Sequence, residues 1–156
     1  RNLELAHAAS GFLTGGVTFC ELVPMRSIPF RVVCLLGMND DEFPRIRHAL
    51  GFDLIAKKRR VGDRTAREDD RYLFLEAILS ARQQLIISFV GQSIKDGAEL
   101  PPSAVVSELL DTLNETFELA GTGERDVRDA MVLTHPLQPY SGRYFSSTGT
   151  LDFEVH

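Results

Sequence analysis

The sequence predicts an α/β fold in which helices cover a parallel β-sheet, and three observations support this class. Two apolar runs, at 30–37 and 85–91, contain β-branched residues and end in glycine, which is typical of buried strands. Between them, residues 65–82 combine a helix-start signal with apolar residues at helical spacing. Strand, helix and strand in this order indicate a βαβ unit with a right-handed crossover.

Length and composition exclude several classes of protein. The chain has 156 residues, of which 44% are hydrophobic and 25% charged, enough for one domain with its own core. Ten phenylalanines argue against disorder, and no apolar run approaches the ~18 residues that span a bilayer. Two cysteines, Cys20 and Cys34, cannot form a disulfide scaffold, and we expect both to be buried in a reducing compartment, the cytoplasm. Because the chain starts at Arg1 without a signal peptide, we expect a piece of a longer protein.

The segment before the first apolar run is punctuated by glycine and proline. Residues 2–9 are predicted to end a short helix, and the glycine-rich stretch 11–16 forms a turn. That stretch lacks the lysine and hydroxyl of a phosphate-binding P-loop. Residues 17–22 can alternate faces as a strand, while Pro24 and Pro29 bracket a loop.

The βαβ unit has the clearest local signals. We predict parallel strands at 31–36 and 85–90, both buried on two faces and bridged by a helix over 66–82. Thr65 and Glu68 match a capping box at the start of that helix.

Beyond this unit the pattern weakens toward the end of the chain. Ser103 is a candidate cap for an amphipathic helix over 104–113, and 127–133 can form a short helix or strand. The stretch 135–149 is rich in Pro, Gly and Ser and is typical of a linker. We therefore divide the chain into an entering segment (1–16), an α/β domain (17–117) and a connecting segment (118–156).

Positive charge is concentrated in one segment of an acidic chain. The net charge is −5, yet residues 45–67 carry eight lysines and arginines against two aspartates, so this segment is +6 and the remainder −11. Such an asymmetry is compatible with a phosphate-binding face and equally with a solvated basic loop.

The sequence offers no catalytic constellation. The four histidines are scattered, and the cysteines show no metal-ligand spacing. The acidic stretch 39–42 is more typical of a solvated turn than of a cation site. We expect no catalytic residue, no metal and no cofactor.

The order of these elements resembles the second RecA-like domain of UvrD-like superfamily 1 helicases. That family has a T-x-H-x-x-K-G-L-E-F segment before a buried strand and an acidic turn ending in Phe-Pro. Here residues 21–30 read ELVPMRSIPF and are followed by RVVCLLGMNDDEFPR. The framework matches, but Glu21, Val23, Arg26 and Ser27 replace the polar residues of the family.

A second departure concerns ATP chemistry. The family's T-R-A-R helix end supplies an arginine that contacts the γ-phosphate, whereas this position is Ser80 in the stretch DDRYLFLEAILSAR. A serine cannot provide the positive charge that stabilises a transferring phosphoryl group. The resemblance therefore implies an inactive helicase fold.

The strings VTFCELVPMRSIPFRVVCLLGMNDDEFPR, LGFDLIA, RRVGDR and HPLQPYSGRYF closely resemble the RecC family, the gamma chains of bacterial exodeoxyribonuclease V. The resemblance covers most of 17–112 and returns at 135–145. It implies a non-catalytic subunit that holds the motor subunits RecB and RecD, divides the duplex, channels single strands and contributes to Chi recognition in DNA repair and recombination.

The resemblance also implies site residues. Arg26 and Ser27 are expected to contact phosphate or sugar, and the basic loop from Lys57 to Arg67 to guide the strand. Independently of the resemblance, Asp69, Asp70 and Arg71 at the start of the helix are candidates for recognising base edges, while carboxylates in a first helical turn equally serve to complement the helix dipole. The complete candidate set is Arg26, Ser27, Lys57, Lys58, Arg59, Arg60, Arg64, Arg67, Asp69, Asp70 and Arg71. The expected ligands are single-stranded and forked DNA; no membrane contact is expected, and the piece alone should be monomeric. A structural scaffold that docks the motor subunits without touching DNA is the alternative.

Overall fold

The computed structural model of the chain describes residues 16–23, 26–46, 58, 60–119 and 126–145. Within these ranges the elements are β1 (Phe30–Leu35), α1 (Ala66–Ser80), β2 (Ala81–Ile87), α2 (Ala104–Thr116), α3 (Val127–Met131) and a 3-10 turn at Gly142–Tyr144. The predicted helix over 2–9 lies outside the described residues. No helix in the described part of the chain is long and apolar enough to cross a bilayer.

The two strands lie side by side in parallel, which confirms the predicted pairing. Val32 is opposite Gln84, and Cys34 is opposite Ile86. Helix α1 connects the strands and contacts both. The sheet and helices agree with the predicted α/β class.

The helix ends earlier than the predicted residue 82, and the second strand begins earlier than the predicted residue 85. Helix α1 ends at Ser80, and the next residue, Ala81, already has the extended backbone of β2, with φ −71° and ψ 118°. The polar pair Gln83 and Gln84 therefore belongs to the strand. Because these side chains are exposed at the start of β2, they break the apolar pattern on which the prediction relied.

The expectation that both strand faces are buried was wrong. Val33 and Leu85 pack against the core, but the opposite face leaves Val32 47% and Ile86 43% exposed. Alternate side chains of a strand point to opposite faces, and the described helices cover one of them. The sheet therefore presents an open apolar face.

The expectation that both cysteines are buried was also wrong. Cys34 lies on the open sheet face, and Cys20 is also exposed; both thiols are free. Cys20 belongs to residues 17–21, which are irregular and exposed instead of forming the predicted strand. No strand of the described chain pairs with this segment, so its backbone has no ladder to join.

The core lies between the covered sheet face, α1 and α2. The rings of Phe43 and Phe74 pack at a centroid distance of 6.3 Å and a tilt of 50°. Helix α2 contributes Val105, Val106 and Leu110 to this core. The buried core cluster comprises Leu35, Met38, Phe43, Phe74, Val105, Val106 and Leu110.

The start of α1 is fixed as the sequence predicts. The Thr65 side chain accepts a hydrogen bond from the Glu68 backbone N–H at 3.2 Å, and the Glu68 carboxylate accepts one from the Thr65 N–H at 3.2 Å. This reciprocal pair is a capping box. It places the acidic residues that follow in the first turn of the helix.

Helix α2 begins after Ser103 as predicted, but the serine hydroxyl does not cap it. The Ser103 side chain is fully buried, and its Oγ has no hydrogen-bond partner in the described structure. Its backbone N–H donates to the Met38 carbonyl at 2.8 Å. This bond ties the start of α2 to the loop that follows β1.

The acidic loop after β1 is organised by Asn39. The Asn39 amide oxygen accepts a hydrogen bond from the Val90 N–H at 2.8 Å, and its amide nitrogen donates to Glu42 at 3.1 Å. These contacts form a turn across the ends of both strands. No group of side chains among the described residues is arranged to hold a metal ion.

Candidate nucleic-acid interface

Helix α1 organises the site by binding arginines that precede it in the chain. Three carboxylates on α1, those of Asp69, Asp70 and Glu76, each pair with one arginine, which is Arg64, Arg45 or Arg26 respectively. Each pair joins α1 to a different upstream segment. The helix therefore fixes where much of the predicted site lies.

Arg26 and Ser27, which were expected to contact the DNA backbone, both bind Glu76. Arg26 Nε donates to the carboxylate at 2.7 Å, Nη2 at 3.3 Å, and the Ser27 hydroxyl donates at 3.3 Å. The hydrogen bond from Arg26 lowers the pKa of Glu76 and raises that of Arg26, so both groups are charged at neutral pH. Ser27 has φ +58°, a left-handed conformation that suits the glycine found at this position in the helicase pattern.

Tyr72 belongs to the same cluster, although sequence reasoning missed it. The Arg26 guanidinium carbon lies 5.6 Å from the centroid of the Tyr72 ring, within the range of a cation–π contact. Tyr72 is nevertheless 56% exposed. Its position one helical turn before Glu76 was the available signal, because residues four apart on a helix are neighbours.

Beside this cluster lies an open depression of about 660 Å³ at the start of α1. The Arg64 guanidinium donates to Asp69 at 2.8 Å, and the Arg60 backbone N–H donates to Asp63 at 2.6 Å. Asp69 lies one turn before Tyr72 on the same stripe of α1 that carries Glu76, so the depression and the Arg26 cluster follow each other along this side of the helix. The depression is lined by Arg60, Val61, Gly62, Asp63, Arg64, Glu68 and Asp69.

Asp70 has a structural environment that differs from the predicted one. Its side chain is fully buried, and it accepts hydrogen bonds from the Arg45 backbone N–H at 2.8 Å and from Arg45 Nη2 at 2.6 Å. A carboxylate enclosed in this way is not accessible to a base edge. Asp70 therefore attaches the 38–46 loop to α1, a correction to its expected place among the DNA contacts.

Arg67 and Arg71 lie on another face of α1. Arg71 Nη1 donates to Glu108 of α2 at 2.9 Å, which lowers the pKa of that glutamate; the charge of Arg67 lowers it further. Residues 67 and 71 are four apart, whereas Asp69, Tyr72 and Glu76 follow the i, i+3, i+7 spacing of a different stripe. Arg71 therefore ties α1 to α2, and Arg67 lies on the same side of α1.

The structure thus brings together part of the predicted set. Arg26, Ser27, Arg60, Arg64 and Asp69 share one surface, whereas Arg67, Arg71 and Asp70 do not join it. Lys58 is exposed, and neither it nor Arg60 forms an ion pair with another described residue. Lys57 and Arg59 lie outside the described residues.

The structure also defines the position of Ser80, a serine where the helicase pattern has a catalytic arginine. Ser80 is 8% exposed, and its hydroxyl donates to the Ala77 carbonyl at 2.7 Å. The side chain is therefore occupied within the last turn of α1.

Comparison with known proteins identifies clear relatives. The chain is 52% identical over 121 residues to the RecBCD enzyme subunit RecC of Escherichia coli K12, an alignment that covers 78% of the chain and 11% of that protein. It is 46% identical over 145 residues to the RecC subunit of Haemophilus influenzae, covering 93% of the chain and 12% of that protein. For the RecC subunit of Mycobacterium tuberculosis H37Rv the identity is 43% over 131 residues, covering 84% and 11%. No protein-family model matches the chain. The chain spans about a tenth of the length of these relatives.

Proposed function

Because the chain belongs to the RecC family of RecBCD enzyme subunits, we propose that it forms a non-catalytic, DNA-contacting part of such a subunit. In this proposal the subunit assembles with RecB and RecD in the bacterial cytoplasm and acts in DNA repair and recombination. The described part is an inactive RecA-like helicase domain that helps to guide a single strand and contributes to Chi recognition.

One observation carries this proposal. Arg26 and Ser27 match the positions at which similar helicases contact the single strand. Both bind Glu76, which shares a stripe of α1 with Asp69, a residue that lines the depression with Arg60 and Arg64. Arg26 is 41% and Arg64 75% exposed in their side chains. A guanidinium that donates to one carboxylate keeps further N–H groups for a phosphate. The surface therefore offers several donors to a DNA backbone.

Base recognition is assigned to Asp69 in this proposal. Its side chain is 41% exposed beside Arg64, whereas that of Asp70 is enclosed. A carboxylate accepts hydrogen bonds from the amino group of cytosine, so an exposed one can discriminate between base edges. Phosphate contacts alone carry no sequence information.

The replacement of Arg26 by Gln tests the proposed contact between Arg26 and the DNA backbone. We expect Arg26→Gln in the assembled complex to weaken single-strand binding and to reduce the slope of log affinity against log salt by about 0.7, the value for one phosphate contact. Arg128→Gln is the matched control, because Arg128 is similarly exposed and pairs with Asp111 elsewhere. Equal affinities and slopes for both variants and the wild type would contradict the proposal.

The absence of ATP chemistry is a separate prediction. We expect the purified whole subunit, without its motor partners, to show no ATP turnover, and Ser80→Arg not to create any. The buried position of Ser80 does not direct a side chain toward solvent, and these 156 residues contain no P-loop motif that could hold phosphates beside it. A steady-state assay that detects turnover proportional to the subunit concentration would contradict this prediction.

The scaffold alternative is favoured by a different observation. Leu75 and Leu79 on α1 are 48% and 65% exposed, and the open sheet face adds Val32 and Ile86. Exposed apolar surface of this kind marks contacts with other protein. Under the scaffold hypothesis Arg26→Gln impairs subunit assembly and leaves the salt slope unchanged.

A further inference from the structure

Tyr72 projects from α1 on the side opposite the core. Leu73 and Phe74, its neighbours in sequence, are buried, whereas Tyr72 is 56% exposed. A ring as large as that of tyrosine gains much from burial, so its exposure beside several charged groups is a feature that the fold alone does not require.

Tyr72 is also held beside a cation. Glu76 fixes the Arg26 guanidinium through two hydrogen bonds, and this guanidinium lies over the Tyr72 ring at 5.6 Å. One face of the ring thus meets a positive charge, while more than half of the residue stays open to solvent. The arrangement leaves surface of the ring for a ligand.

Proteins that bind single strands combine two features, positive groups that follow the backbone and aromatic rings on which bases stack. Arg26 and Ser27 are the proposed backbone contacts, and Tyr72 adjoins them. Resting on that proposed function, we propose that Tyr72 is a stacking site for one unpaired base of the strand whose phosphates Arg26 and Ser27 bind. Stacking on a ring is tolerant of sequence because every base has a π face.

The test compares two oligonucleotides of equal length and charge bound to the assembled complex, one of thymidines and one in which abasic sites replace the bases. Tyr72→Leu should weaken binding of the thymidine strand about tenfold, within the range for one stacked base, and leave binding of the abasic strand unchanged. The salt slope should not change, because no phosphate contact is lost. Tyr72→Phe should bind like the wild type.

A matched control is Tyr140→Leu, which alters a tyrosine that is 75% exposed on another segment and should leave both affinities unchanged. If Tyr72→Leu binds both strands like the wild type while Arg26→Gln weakens binding, the stacking site is refuted and the backbone contact stands. If neither variant affects binding in an intact complex, the proposed function itself fails.

A measurement without substitution covers the case in which Tyr72→Leu prevents assembly. A strand carrying 5-iodouracil is bound to the wild-type complex and irradiated, and the cross-linked peptide is identified by mass spectrometry. We expect a cross-link at Tyr72. Cross-links in this chain that fall only on other residues would overturn the inference and assign Tyr72 to a protein contact.

Discussion

Replacement of Arg45 by methionine is expected to lower the local stability of α1 by about 3 kcal/mol, the lower end of the range for breaking a buried ion pair. The Asp70 side chain has no exposure, so replacement of Arg45 removes an ion pair and its guanidinium hydrogen bonds from a carboxylate that water does not reach. Methionine keeps the apolar stem of arginine and isolates the effect of the charge. The lower end applies because the Arg45 side chain is itself 49% exposed.

Hydrogen exchange of the α1 amides in the whole subunit measures this effect. A loss of about 3 kcal/mol corresponds to exchange that is about a hundredfold faster. The control is Arg64→Met, which removes the exposed pair with Asp69 and should cost less than about 1 kcal/mol. Similar exchange rates in the two variants would show that burial of Asp70 does not determine the strength of the pair.

The parts of the fold that local signals encode were predictable. The capping box of Thr65 and Glu68 marks the start of α1, and two apolar runs mark the strands. The direct passage from Ser80 into β2 was not predictable, because Gln83 and Gln84 interrupt the apolar pattern although both lie in the strand and Gln84 pairs with Val32. Periodicity likewise indicates which residues share a strand face but not which face a helix covers. For this reason Cys34 was expected to be buried, although it is exposed.

The site was less predictable than the fold. Charge clustering identified the basic segment, but the partners of its arginines depend on contacts between residues far apart in sequence. Arg26 meets Glu76 fifty positions later, and Arg45 meets Asp70 twenty-five positions later. These pairings separate the exposed Asp69 from the enclosed Asp70, although the two are adjacent in the chain.

The second large effect concerns the basic segment. Replacement of Lys57, Lys58, Arg59 and Arg60 by alanine in the complete complex is expected to weaken DNA binding about equally for all sequences. Flexible cationic side chains contact phosphates, which are the same in every sequence. Each lost contact to a single strand reduces the log–log salt slope by about 0.7, so four contacts reduce it by about 3. Replacement of Arg128 and Arg143 by alanine is the control for a simple loss of positive charge.

The salt dependence of forked-DNA binding by this four-alanine complex, measured beside the wild type, tests the central claim that the basic segment contacts DNA. We predict a shallower slope and a lower affinity at low salt, with subunit assembly intact. An unchanged slope together with loss of RecB or RecD from the complex would contradict the claim and establish the scaffold function instead.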